Sequence, residues 1–163
     1  MSYERFDVSN GEGIRSSVFF AGCSLKCKGC WNPSSWNPKN GDPFTIEVLN
    51  KIVEGLDHPS IAGLSLLGGE PFENLESTVP LVEATRDKYG DNKNVWAWSG
   101  HTFDKLISDP EKMKLLKLLD VLVEGPFILA KRDLSLRFRG SSNQRVLDVK
   151  KSLAANKPIL YML

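Results

Sequence analysis

Apolar and polar positions along the chain repeat a strand followed by a helix. Ser16-Ser17-Val18-Phe19-Phe20 has the side chains of a buried strand and runs straight into Ala21-Gly22-Cys23. A loop rich in Pro, Gly and Asn spans Asn32 to Pro43, after which Ile46, Leu49, Ile52, Val53 and Leu56 recur with helical spacing. Ile61 to Leu67 predicts a second strand ending in Gly68-Gly69-Glu70-Pro71. Leu75, Val79, Val82 and Tyr89 then mark a helix with Gly90 as its stop. Asn94 to Trp98 predicts a third strand ending at Ser99-Gly100, and Phe103 to Leu119 predicts helix broken near Asp109-Pro110. Val121-Leu122-Val123 reads as a fourth strand ending at Glu124-Gly125-Pro126. Gln144 to Leu147 reads as a fifth, after the polar turn Gly140-Ser141-Ser142-Asn143.

Such alternation implies right-handed crossovers onto a parallel sheet, with the functional loops at the C-terminal edge of the strands. The expected class is α/β, an open partial (βα) barrel with parallel strands, forming a single domain over residues 1–163. Cys23, Gly68-Gly69-Glu70, Ser99-Gly100 and Glu124 all fall on one rim of it.

Composition adds mainly exclusions. Hydrophobic residues at 41% and charged residues at 25% suit an ordinary globular domain, large enough at 163 residues to bury a core. The net charge of +1 offers no field for nucleic acid or an anionic membrane. No stretch approaches the roughly 20 apolar residues of a membrane span, and Met1 to Arg5 does not begin a secretory leader, so a cytoplasmic protein is expected.

The three cysteines, Cys23, Cys27 and Cys30, lie within eight residues of an otherwise cysteine-free chain. Three crowded thiols read as metal ligands, whereas a disulfide framework would spread an even number. Closed zinc and ferredoxin-type sites use four protein ligands, so a set of three leaves one metal position open, as catalytic sites do. A zinc reading needs a fourth ligand from His58 or His101, neither of which has ligand-like spacing. Asn10-Gly11-Glu12-Gly13 is too short of a phosphate-loop pattern to indicate nucleotide binding and reads as a turn.

Cys23-x-x-x-Cys27-x-x-Cys30 followed by Trp31 resembles the radical S-adenosylmethionine signature, and Gly68-Gly69-Glu70 is similar to that superfamily's second motif. A narrower resemblance covers most of the chain. Asn10 to Arg15, Gly22-Cys23, Cys30-Trp31-Asn32, Gly68-Gly69-Glu70-Pro71, Trp96 to Gly100 and Arg139-Gly140-Ser141-Ser142-Asn143-Gln144 are similar to the activating proteins of anaerobic ribonucleoside-triphosphate reductase. That resemblance implies a [4Fe-4S] cluster on Cys23, Cys27 and Cys30, with S-adenosylmethionine on the fourth iron. It also implies a 5′-deoxyadenosyl radical that takes a hydrogen atom from a glycine of the reductase large subunit. A low-potential electron donor such as a flavodoxin is implied as well.

For the cofactor, the resemblance points to Trp31, Asn32, Gly68, Gly69, Glu70, Ser99, Glu124, Arg139, Ser141 and Asn143. Gly68 and Gly69 would let the backbone approach the methionine amine, with Glu70 as acceptor. Glu124 would hold a ribose hydroxyl or ammonium. Pro126 stands where many relatives carry Lys. Trp31, Trp36, Trp96 and Trp98 are candidates for adenine stacking or for core. Three readings stay open: a radical activase, for this or another glycyl-radical enzyme; a passive iron-sulfur carrier; and a zinc-stabilised module. The apolar tail Ile159 to Leu163 is expected to pack on the domain or on a partner.

Overall fold

A computed structural model describes residues 1–163. Its six strands form one open sheet in chain order: β1 (Ser2–Asp7), β2 (Ile14–Phe20), β3 (Ile61–Gly68), β4 (Asn94–Ser99), β5 (Val121–Glu124) and β6 (Arg145–Asp148). Helices α1 (Ile46–Gly55), α2 (Leu75–Tyr89), α3 (Phe103–Ile107) and α4 (Pro110–Leu116) lie in the crossovers between β2 and β5, and α5 (Val149–Ala155) follows β6. The expected helix over 103–119 is two. Asp109 caps α4 by accepting from the Glu111 and Lys112 amides, and Pro110 fits the first turn, where no backbone donor is missed. No helix is long and apolar enough to cross a membrane.

The expectation of an all-parallel sheet is corrected at both edges. The inner four strands are parallel, while β1 runs antiparallel to β2 and β6 antiparallel to β5. β1 is absent from the sequence reading because Glu4, Arg5 and Asp7 mask any strand pattern. It is an edge strand held by pairing, Ser2 to Phe19 and Tyr3 to Val18, and its polar side chains suit an exposed edge. β6 returns within the connection from β5 instead of crossing over a helix.

Strand pleating divides the side chains between two faces. Val18, Phe20, Leu64, Leu66, Val95, Ala97, Leu122 and Leu147 join the main core, together with Leu49, Ile52 and Val53 of α1 and Leu81 and Val82 of α2. The opposite face carries Arg15, Ser17, Ser65, Trp96, Val121, Val123 and Val146, all buried. Arg15 donates to Ser65 Oγ at 2.6 Å and to the Leu64, Asn94 and Glu12 carbonyls at 2.8, 3.2 and 3.1 Å. Burial pulls its pKa down to about 10, so it remains a cation at neutral pH.

The C-terminal tail packs on this second face. Leu160 bridges to Leu147, Tyr161 donates its amide to the Val146 carbonyl at 2.9 Å, and the Tyr161 ring meets Trp96 edge-on at 5.5 Å. Its hydroxyl donates to Glu12 Oε2 at 2.9 Å. Tyr161, Trp96 and Phe138 thus pack together on this face, and the C-terminal end of the parallel strands is left open.

Candidate functional site

At that open end lies a cleft of about 460 Å³. Cys23, Cys27 and Cys30 line it from the loop after β2, Gly68, Gly69 and Glu70 from the turn after β3, and Ser99 and Gly100 from the turn after β4. The far wall is a strap, residues 126–142, that brings Phe127, Leu134, Phe138 and Arg139 to the cleft. Loops from successive parallel strands meet here because every crossover returns the chain to the same end of the sheet.

The three thiols are free and half-buried. Burial pushes the Cys23 thiol up, against the Leu25 and Lys26 amides, with the Glu70 and Glu73 carboxylates adding to the rise. Three thiols on one loop are a donor set that an iron-sulfur cluster takes. Gly29, at φ +77°, permits the close packing of the cysteine loop on the strap, since a Cβ there would sit 2.8 Å from Leu129 Cδ1. The Trp31 and Phe127 rings lie 6.4 Å apart, and the Arg132 guanidinium lies 4.5 Å from the Trp31 ring centre.

The Gly-Gly-Glu turn is tied to the cysteine loop through backbone. Gly69 donates to the Phe20 carbonyl at 2.8 Å and Glu70 to the Gly22 carbonyl at 2.9 Å. Gly68, at φ +94°, has no room for a side chain: a Cβ would meet Phe20 backbone at 2.4 Å. The Glu70 side chain is 1% exposed, and its oxygens accept from the Phe72 and Gly100 amides at 3.1 and 2.8 Å. Burial raises its pKa to about 7, opposed by the Gly100 and Phe72 amides and the Ser99 hydroxyl.

Not every expected residue reaches the cleft. Trp31, Asn32, Gly68, Gly69, Glu70, Ser99 and Arg139 line it; Glu124, Ser141 and Asn143 do not. Glu124 shares its side of β5 with Leu122, so pleating aims it at the helix layer. There it is 1% exposed, accepts from the Phe103 amide at 2.8 Å and pairs with Arg145 Nε at 2.5 Å. Ser141 Oγ accepts from the Ile128 amide at 3.2 Å, and Asn143 Nδ2 donates to the Pro126 carbonyl at 2.7 Å, so both shape the strap. Gln144 accepts from the Gly140 and Ser141 amides and closes the same turn.

The tryptophans separate in the same way. Trp96 is core at 1% exposure, whereas Trp31, Trp36 and Trp98 line the cleft. The sequence reading missed Leu25, Phe127, Leu134 and Phe138, which are ordinary apolar residues in loops and carry no chemical signal. His101 does not line the cleft; its Nε2 lies 3.2 Å from Glu73 Oε1.

Residues 9–147 match the family described as 4Fe-4S single cluster domain. The anaerobic ribonucleoside-triphosphate reductase-activating protein of Vibrio cholerae is 40% identical over 151 residues, 88% of this chain and 96% of that one. This chain belongs to that family. The activating protein of Escherichia coli K12 is 37% identical over 153 residues, 90% of this chain and 97% of its own. The activating protein of bacteriophage T4 is 35% identical over 153 residues, covering 90% and 93% of the two chains. These matches to activating proteins from bacteria and a phage cover 88–90% of this chain.

Proposed function

We propose that this chain is the activating enzyme of an anaerobic ribonucleoside-triphosphate reductase, with Cys23, Cys27 and Cys30 holding a [4Fe-4S] cluster in an open partial barrel of radical S-adenosylmethionine type. The observation that carries the reading is the meeting of the only three cysteines of the chain with the Gly68-Gly69 turn in one cleft, in a member of this family. The bound cluster and S-adenosylmethionine would supply one-electron cleavage of a carbon-sulfur bond, giving methionine and a 5′-deoxyadenosyl radical able to take a hydrogen atom from a glycine of the reductase.

The residues of the chain divide that work. Cys23, Cys27 and Cys30 would hold the cluster and leave one metal position open to S-adenosylmethionine. Gly68 and Gly69 present backbone, not side chain, to the cleft, where it would accommodate the methionine amine. Glu70 holds Gly100 and the turn in place through the amides it accepts, and it also lines the cleft. Arg139, half-buried with its Nε unpartnered, offers a donor to a carboxylate or ribose, and Trp31 and Asn32 border the same space. Phe127, Phe138 and Trp98 exclude water, which protects a carbon radical from quenching.

A partner for electron supply follows from charge. Exposed Lys26 and Lys28 lie on the cysteine loop and exposed Lys131, Arg132 and Arg137 on the strap, with Arg137 3.6 Å from Glu12, and Asp133 is the single acid among residues 23–32 and 126–142. A basic rim around a buried redox centre suits an acidic low-potential donor such as a flavodoxin. Thiolate ligands and a low-potential cluster suit a reducing cytoplasm.

The test is anaerobic reconstitution with iron and sulfide, reduction in the presence of S-adenosylmethionine, and assay for 5′-deoxyadenosine, with Cys27→Ala as control. Formation of 5′-deoxyadenosine by the wild type alone, and a glycyl-radical signal on added reductase, are expected. A reconstituted [4Fe-4S] protein that never cleaves S-adenosylmethionine overturns the proposal.

A further inference from the structure

We propose that Glu73 is a positioning residue for the cluster: it clamps the segment after Cys23, so that this thiol is presented with its backbone already set. The inference rests on the assignment of Cys23, Cys27 and Cys30 as ligands.

Glu73 ends the tight helical turn Pro71–Glu73, whose first residue follows the Gly-Gly-Glu segment. Its Oε2 accepts the Ser24 amide at 2.8 Å and its Oε1 the Ser24 hydroxyl at 2.7 Å, with His101 Nε2 on Oε1 at 3.2 Å. One carboxylate therefore joins the loops that follow β2, β3 and β4. An exposed ion pair contributes little, but this side chain is 24% exposed and accepts from three donors on two other loops. Charge-assisted bonds of this kind are about twice as strong as neutral ones.

The neighbouring backbone explains why the contact falls at Ser24. Gly22 donates to the Ser35 carbonyl at 2.7 Å, and Cys23 donates to the Trp36 carbonyl at 3.3 Å. Gly22 in turn accepts from the Glu70 amide and from Asn74 Nδ2. With Ser24 held by Glu73, the residues on both sides of Cys23 and its own amide are fixed by two separate segments, 35–36 and 70–74. Cys27 and Cys30 have no such frame. A turn joins them, from the Cys30 amide to the Cys27 carbonyl at 3.1 Å, and the strap packs on Gly29. Glu73 is the one charged side chain that hydrogen-bonds to residues 22–32. Partners that orient metal ligands in this indirect way typically change metal affinity by about 10–100-fold when removed.

The experiment uses the full chain, reconstituted anaerobically, and follows iron loss to excess bipyridyl together with thermal unfolding of the metal-free protein. Glu73→Ala is expected to lose iron about 10-fold faster or more, with the metal-free protein melting as the wild type does. Glu73→Gln keeps an acceptor for the Ser24 amide and a donor for its hydroxyl, and is expected to restore retention close to wild type. Wild-type retention in Glu73→Ala overturns the inference, as does failure of Gln to rescue, or a melting loss in the metal-free Ala variant that accounts for the iron loss. If the wild type takes up no [4Fe-4S] cluster, the ligand assignment falls and this inference with it.

Discussion

Glu70 and Gly100 are joined by a 2.8 Å hydrogen bond from the Gly100 amide to Glu70 Oε2, across two loops and with the Glu70 side chain buried. The bond converts the acidic residue of the Gly-Gly-Glu turn into a brace between the ends of β3 and β4. It also makes that brace sensitive to protons.

Burial raises the Glu70 pKa to about 7 from the model-peptide range near 4.5, so the folded protein binds this proton more tightly than the unfolded chain. The stabilisation is therefore present in full below about pH 4.5 and is lost as pH rises through 7. Denaturation of the metal-free wild type and of Glu70→Gln between pH 4.5 and 8 should show the wild type losing up to about 3 kcal/mol relative to the variant. Parallel pH profiles would refute the assignment.

Glu124 sets apart a structural acid from one that binds cofactor. Glu124→Ala removes the acceptor of the Phe103 amide and the partner of Arg145, so it is expected to cost about 1–3 kcal/mol in urea denaturation. The affinity for S-adenosylmethionine, measured on the folded fraction, should stay within about twofold of wild type. A large loss of affinity at unchanged stability would return Glu124 to the site.

The basic rim predicts how the cluster is reduced. Charge reversal at Lys131 and Arg132 together is expected to slow reduction by an acidic flavodoxin about tenfold at low salt, and the difference should shrink as ionic strength rises. Chemical reduction by dithionite in stopped-flow mixing serves as the reference. Equal slowing by both reductants would mean that the strap itself had been damaged.

Arg15 braces the face of the sheet that carries Trp96. Its guanidinium lies 5.3 Å from the Trp96 ring centre and bonds to three carbonyls and to Ser65. Arg15→Ala leaves several buried acceptors without donors and is expected to destabilise by about 3 kcal/mol or more in denaturant titration. Lys is not expected to restore it, because a single ammonium cannot reproduce the planar fork over the ring.

The sequence by itself determined the elements and the chemistry. Four buried strands, the crossover helices, the break at Asp109-Pro110 and the loops that carry Cys23, Gly68-Gly69 and Ser99 are local consequences of apolar period and turn residues. The cysteine spacing, with no fourth cysteine, carried the cofactor class. What the tertiary structure decided depends on pairing and pleat parity. β1 is a strand only because β2 lies beside it, and both edges turn antiparallel. Glu124 lies at the rim by register, yet pleating aims it into the helix layer. The role of Glu73 was hidden for the same reason, since nothing in Pro71-Phe72-Glu73 shows that folding brings Ser24, 49 residues earlier, and His101, 28 residues later, to one carboxylate.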